Sequence, residues 1–167
     1  MLSYRNVFIR NPRSEAALLK ISESEAIQAL VGRLVIEDAI SWSTKNHLDW
    51  AKSELKVFHD NLGEMKMLLS VSLVNGKSTY SLMFRGTMIK RLDVNGTHRS
   101  FAKGERLEFI RKTHKHILTD DCGLSWAYLP DDITSDNPQV AFEQFCVECN
   151  IQFCGNWTPL PQSPLEL

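Results

Sequence analysis

Two strand-forming runs joined by Asn75-Gly76 restrict the possible folds of this chain more than any other feature. Residues 65–74 and 77–84 are rich in residues that favour strands. Asn-Gly between such runs is the strongest local signal for a two-residue β-hairpin. The sequence therefore predicts an antiparallel hairpin over residues 65–84.

Three further strands are predicted after this hairpin. Residues 86–94 form the third strand, which a second Asn-Gly pair at positions 95–96 is expected to close. Residues 105–118 and 124–129 have the composition of two more strands, with a turn over 119–123 between them. Together these segments predict an antiparallel sheet of about five strands.

Helical spacing of apolar residues predicts two helices before the sheet. Ser22 and Glu25 form a capping box, which begins a first helix over residues 22–36. A second helix is expected to run from Thr44 to Gly63, because glycine can adopt the left-handed conformation that ends helices. The apolar residues with this spacing are Ile27, Leu30, Val31 and Leu34 in the first segment and Leu48, Ala51, Leu55 and Phe58 in the second.

The predicted fold class is α+β, with two N-terminal helices, an antiparallel sheet of about five strands and a C-terminal helix packed on the sheet. The C-terminal helix is expected to begin near Asn137, which can cap it, and to end near Asn150. The expected organisation is an N-terminal helical region over 1–63, an antiparallel core domain over 64–155 and a proline-rich tail over 156–167.

The length and hydropathy of the chain favour a cytoplasmic protein. A domain of 167 residues buries roughly two-thirds of its unfolded surface and needs no cross-links. The first ten residues lack the apolar run and cleavage site of a signal peptide, and no segment approaches the roughly 18 apolar residues of a membrane span. We therefore expect no membrane partner.

The cysteine pattern is a weak signal for metal binding. Cys146 and Cys149 have the two-residue gap that zinc sites and redox motifs use. No second ligand pair follows, and two cysteines three residues apart in a helix can face the core together. The pattern therefore favours buried structural thiols, and the sequence predicts no metal ligand and no cofactor.

A basic segment over residues 85–116 indicates an anionic partner. It holds nine of the nineteen lysines and arginines but three of the twenty acids, so its net charge is +6 and that of the remaining chain is −7. Such asymmetry is typical of proteins that bind nucleic acid. The candidate nucleic-acid-binding residues are Arg85, Lys90, Arg99, Arg111, Lys112 and Lys115.

The same segment contains residues suited to phosphodiester cleavage. Residues two apart on a strand share a face, so Arg91 is expected beside Asp93, and His114 beside His116. Pairing of these strands would bring the two sets together, with a carboxylate to orient an imidazole and arginine to bind phosphate. A solvated histidine strand is the alternative. The candidate catalytic residues are Arg91, Asp93, His98, His114 and His116.

The order of these motifs resembles that in a family of small uncharacterised bacterial domains. In that family an Arg-x-Asp strand, a histidine-containing loop and a His-x-His strand occur in the same order. The pattern is also similar to the TumE-type toxins of bacterial toxin–antitoxin pairs. The resemblance covers residues 64–153, implies the same five site residues, and suggests a phage or mobile-element protein that acts on nucleic acid, translation or a defence component.

Three functions remain open from the sequence. The first is a toxin-like, metal-independent ribonuclease that uses the candidate catalytic residues. The second is a module that binds RNA or other nucleic acid without cleaving it. The third is an interaction protein, such as a phage inhibitor of a host defence complex, whose partner is an antitoxin or a host protein.

Overall fold

Eight strands form one mixed sheet in the part of the chain that the computed structural model describes, residues 21–44, 49–100, 107–120, 123–124 and 126–162. The spatial order is β7-β6-β5-β4-β3-β2-β1-β8. Only the β1–β8 pair among these described strands is parallel. The strands are β1 (Leu34–Ile36), β2 (Trp50–His59), β3 (Gly63–Ser72), β4 (Ser78–Phe84), β5 (Thr87–Ser100), β6 (Leu107–Ile117), β7 (Ala127–Tyr128) and β8 (Ile151–Phe153).

The predicted fold class is wrong, chiefly because the second predicted helix is strand β2. Burial alternates along β2, so Ala51, Leu55 and Val57 face the core while every second residue, Lys52, Glu54 and Lys56, is exposed. Ala51 and Leu55 fit both periods, because a spacing of four is one helical turn and also an even number of strand residues. Phe58, which the helix would have buried, is 44 % exposed.

The first predicted helix is confirmed at its start and wrong at its end. Helix α1 is Glu23–Gln28, and the capping box of Ser22 and Glu25 is present. Gly32 follows with φ +111°, a backbone conformation that a right-handed helix cannot accommodate. The chain then enters β1, which pairs with both β2 and β8.

The hairpin at Asn75-Gly76 is confirmed by the antiparallel pairing of β3 with β4. A second tight turn joins β4 to β5 through Arg85-Gly86, both with positive φ, as hairpins with two-residue loops prefer. The Asn-Gly pair at 95–96 does not close a hairpin. It lies inside β5, where the pairing with β6 shifts register.

The predicted C-terminal helix is confirmed as α2, Pro138–Glu148, with Asn137 as its N-cap. It packs on the sheet through Phe142 and Phe145, whose rings lie 5.7 and 6.4 Å from that of Tyr80. Cys146 and Cys149 are buried, and burial raises the pKa of the Cys149 thiol to about 12. Both are therefore core thiols.

The sheet and its packing cross both predicted region boundaries. The boundary at 63/64 falls inside β3, which pairs with β2 along ten residues of each strand. Trp157, in the predicted tail, packs against Trp42 and Phe142 with ring centroids 5.2 and 5.7 Å away. Among the described residues, no helix has the length and apolar character needed to cross a membrane.

The alternation along β2 makes a testable distinction between strand and helix. Val57→Ala should lower the free energy of unfolding by on the order of 2 kcal/mol, because it removes fully buried methyl groups. Phe58→Ala should cost less, since much of that ring stays hydrated in the folded protein. Urea denaturation of both variants checks the order, and a larger loss for Phe58→Ala would favour the helix.

Candidate functional site

The Arg-x-Asp and His-x-His motifs lie side by side on neighbouring strands. Arg91 is the register partner of His116, and Asp93 is the partner of His114. On the other side of β5, Thr79 is the partner of Asp93. These side chains alternate with the residues that face α2, so they lie on the opposite surface of the sheet, which we call the outer face.

A β-bulge brings His98 to the same cluster. Asp93 and His98 are five residues apart, a spacing that would place them on opposite faces of a regular strand. The register shift between Asp93 and Gly96 adds one residue to β5 and reverses this alternation. Asn95 in the bulge has φ +52°, and a second positive-φ residue, Arg111, lies in β6 where the register shifts back.

Gly96 makes room for the cluster. A Cβ atom at this position would lie 2.9 Å from Cε1 of His114 and 3.0 Å from Cβ of Asp93, which is too close for either neighbour to remain in place. The Asn-Gly pair thus serves the site rather than a turn.

The carboxylate of Asp93 is the centre of the cluster. Its Oδ1 accepts hydrogen bonds from Thr79 Oγ1 at 2.7 Å and from Nε and Nη2 of Arg91 at 2.9 and 2.7 Å. Its Oδ2 lies 3.2 Å from Nε2 of His116 and 3.5 Å from Nε2 of His114. One carboxylate therefore contacts arginine, threonine and two imidazoles.

The contacts of Asp93 keep it ionised although it is buried. Burial alone would raise its pKa, but hydrogen bonds from His114 and His116 and the charge of Arg91 hold the pKa well below its usual range. A carboxylate in this state can neutralise a cation or bind one.

Backbone carbonyls set the orientation of two histidine rings. Nδ1 of His114 lies 2.8 Å from the carbonyl oxygen of Lys112, and Nδ1 of His116 lies 2.8 Å from that of Leu124. A carbonyl can only accept, so Nδ1 carries the proton in both rings and Nε2 points into the cluster.

The three imidazoles pack against one another. The ring of His98 is stacked on His114 with centroids 5.6 Å apart, and it meets the edge of His116 at 4.4 Å. His114 and His116 are 0 % and 3 % exposed, whereas His98 is partly exposed. His98 is thus the ring through which the cluster reaches the surface.

Two of the candidate nucleic-acid-binding lysines are not available for that role. Lys90 and Lys115 are buried on the α2 side of the sheet, where Nζ of each lies 2.5 Å from a carboxylate oxygen of Glu148. Lys115 also binds Asp132. Alternation places these two lysines on the face opposite the histidines, so their position follows from strand geometry.

The other candidate cations differ in their surroundings. Arg85 is exposed, lies over the ring of Phe84 and pairs with Glu25 at 3.5 Å. Arg111 and Lys112 are exposed beside the cluster. The side chain of Arg99 lies outside the described part of the chain.

A depression on the outer face adjoins Asp93. It has a volume of about 420 Å³ and includes Lys52, Ser70, Thr79 and Ser81 in its lining. Ser81 is the register partner of Arg91. No local sequence pattern marks these hydroxyl residues, because their position beside the site follows only from the register of β3 and β4 with β5.

The candidate site falls within a region that matches a known family model. Residues 41–151 match the model of a family of unknown function, DUF6978. The chain belongs to this family. The matched region spans β2 to α2 and contains all five candidate catalytic residues. Neither a curated protein nor a solved structure matches the chain.

The Asp93 contacts predict a specific loss of stability. Asp93→Asn should lower the free energy of unfolding by about 2–3 kcal/mol, because it removes the charged acceptor of the hydrogen bonds from Arg91 and Thr79. Thr79→Val should cost about 1 kcal/mol, since it removes a single hydrogen bond. Guanidinium denaturation of both variants measures the difference. Equal losses would contradict the central place of the carboxylate.

Proposed function

We propose that the protein is a toxin-like ribonuclease that acts on RNA at the outer face of the sheet. The observation that carries the proposal is the position of Arg91. Two of its nitrogens are bound to Asp93 directly beside the histidine cluster, while its side chain is 39 % exposed. A cation fixed in this way can hold a phosphate next to groups that accept protons.

The surroundings of Arg91 suit an RNA strand. Arg111 and Lys112 are exposed near the cluster, and the adjoining depression adds Lys52 and hydroxyl groups. Cations can pair with phosphates, and hydroxyls can bond to ribose or phosphate oxygens. The depression and the cluster adjoin at Thr79, which lines the depression and donates a hydrogen bond to Asp93 in the cluster.

The proposed step is transfer of the phosphodiester to the neighbouring ribose oxygen. A base in the cluster takes the proton of the 2′-hydroxyl, and the 2′-oxygen forms a bond to phosphorus. The bond from phosphorus to the 5′-oxygen breaks, and that oxygen takes a proton from an acid. The products are a 2′,3′-cyclic phosphate and a 5′-hydroxyl, while Arg91 stabilises charge on the phosphoryl oxygens.

Burial changes the roles that the sequence suggested for the histidines. His114 and His116 do not reach the surface in the described structure, so a direct division of acid and base between them is not supported. His98 is the partly exposed ring, and the buried pair connects it to Asp93. The cluster therefore supplies the base as a unit.

The same burial favours a second candidate function. A protein that binds nucleic acid, or inhibits a defence complex, without cleaving RNA would need the exposed cations but no accessible histidine. With either function, we also propose that the protein is similar to TumE-type toxins, comes from a phage or mobile element and is cytoplasmic. Its protein partner would be an antitoxin or a host protein.

RNA binding should depend on salt through the exposed cations. A plot of log affinity against log salt for a single-stranded oligoribonucleotide should have a negative slope, and Lys112→Ala should reduce it by roughly 0.7, the effect of one phosphate contact. Arg33→Ala is the matched control, because Arg33 is exposed near β1 and β8 at the other edge of the sheet. A slope near zero, or an equal effect of both changes, would contradict RNA binding at this face.

Cleavage distinguishes the two candidate functions. The wild-type protein should release a 2′,3′-cyclic phosphate and a 5′-hydroxyl from an RNA substrate, and His98→Ala should lose turnover while it retains most binding. Products are identified by mass spectrometry, and thermal melting confirms that the variant is folded. Binding without any product would reject the ribonuclease and favour the non-catalytic function.

A further inference from the structure

Three histidine rings lie close enough together to hold a metal ion. One ring nitrogen from each of His98, His114 and His116 lies within 4.8 Å of those of the other two. The Nε2 atoms of all three rings are buried. We propose that these three histidines and Asp93 bind one divalent transition-metal ion, zinc by the chemistry of the donors.

The ring orientations are those that metal-binding histidines require. Nδ1 of His114 and of His116 is directed at a backbone carbonyl, so each ring keeps its proton on Nδ1. An ion would take the place of the proton on Nε2, which faces Asp93, and would bind the lone pair left there. Histidine ligands usually donate their second ring N–H to a carbonyl or carboxylate, which fixes the tautomer and raises the basicity of the ligand. Both rings thus have their outer partners in place.

The position of Asp93 suits a fourth ligand. Ligands about 2.0–2.1 Å from a tetrahedral zinc ion lie about 3.3–3.4 Å from one another. The distances from Asp93 Oδ2 to Nε2 of His116 and His114 are 3.2 and 3.5 Å, which match such edges. The ring nitrogens are up to 4.8 Å apart, so the widest pair must approach by about 1–1.5 Å to reach the ligand–ligand distance of tetrahedral zinc. Two side chains can share this movement.

The second carboxylate oxygen is held by outer partners. Thr79 and Arg91 donate to Oδ1, which leaves Oδ2 facing the imidazoles. Hydrogen bonds of this kind orient ligating carboxylates. The bulge in β5 and the absence of a side chain at Gly96 then allow His98 to reach the ion as the third histidine.

The donor set selects the class of metal. Three imidazole nitrogens and one carboxylate oxygen suit zinc and neighbouring first-row ions, whereas calcium and magnesium prefer oxygen ligands alone. The thiols of Cys146 and Cys149 do not contribute, because they are core residues on α2, on the other side of the sheet.

The metal site deepens the proposed function but does not depend on it. Catalytic zinc sites have three protein ligands and hold water in the fourth position, which would open here if Asp93 kept only its bonds to Thr79 and Arg91. Water bound in that position would become the base that removes the 2′-hydroxyl proton, in place of a histidine ring. If no RNA is cleaved, the ion would still stabilise the outer face, so metal content is measured without RNA.

Metal content and affinity test the proposal on the full chain. Native mass spectrometry after purification, and after chelation followed by titration with zinc chloride, should show one zinc ion per chain, with a raised melting temperature. His98→Ala and His116→Ala should abolish stoichiometric binding. Thr79→Val, which removes only an outer partner, should weaken affinity by roughly 10–100-fold.

Two controls separate this site from other ligands. His59→Gln should leave zinc binding unchanged, because the ring of His59 bonds to Val31 and to the turn after β2, away from the cluster. Cys154→Ser should also have no effect, since Cys154 is an exposed thiol. Loss of zinc in either control, with full binding in His98→Ala and His116→Ala, would overturn the proposal.

A spectroscopic measurement on the wild-type protein tests the ligands even if the histidine variants do not fold. X-ray absorption of the wild-type zinc complex should show four nitrogen or oxygen neighbours, with the scattering pattern of several imidazole rings and no sulfur. A sulfur shell, or six oxygen neighbours, would reject the assigned ligands. A wild-type protein that binds no zinc would identify the Asp93 contacts as hydrogen bonds from protonated histidine instead.

Discussion

The buried carboxylate of Asp93 organises the outer face of this protein. Its Oδ1 accepts hydrogen bonds from Arg91 and Thr79, and its Oδ2 faces the imidazoles of His114 and His116. An ionised carboxylate is costly to bury unless it is compensated. The strand register provides that compensation, because each partner comes from β4, from β5 itself or from β6 at a position opposite or two residues away.

The same strands carry a second buried charge network on their other face. Lys90 and Lys115 alternate with the site residues and bind Glu148 and Asp132 beside α2. β5 and β6 are thus polar on both sides, which explains the high density of charge in the basic segment without assigning every cation to a ligand. Charge counted along the sequence overestimated the basic surface, because strand alternation directs Lys90 and Lys115 inward.

Prediction from sequence succeeded where local chemistry determines structure. The Asn75-Gly76 turn, the Ser22 capping box and the Asn137 cap of α2 depend on neighbouring residues, and all three are present. Local sequence patterns could not distinguish strand β2 from a helix. Its buried Ser53 and His59 conceal the alternation, and its apolar residues also fit a helix. β1 is short and is held by pairing with β8, far away in the chain.

In the candidate site, too, local patterns predict the position of some residues and not of others. Strand alternation alone predicts that Arg91 lies beside Asp93 and that His114 lies beside His116. The position of His98 depends on a bulge, and the Asn-Gly pair that marks it has the same local signature as a turn. The hydrogen bond from Thr79 to Asp93 depends on the register between β4 and β5, which no local pattern specifies.

The proposed metal site requires three histidines and one carboxylate to bind the same ion. Anomalous diffraction at the zinc absorption edge, from crystals of the full chain grown with zinc, tests this most directly. We expect one strong peak about 2.0–2.1 Å from a nitrogen of His98, His114 and His116 and from Oδ2 of Asp93. A map with no peak in the cluster, or with the peak at the cysteine thiols, would contradict it.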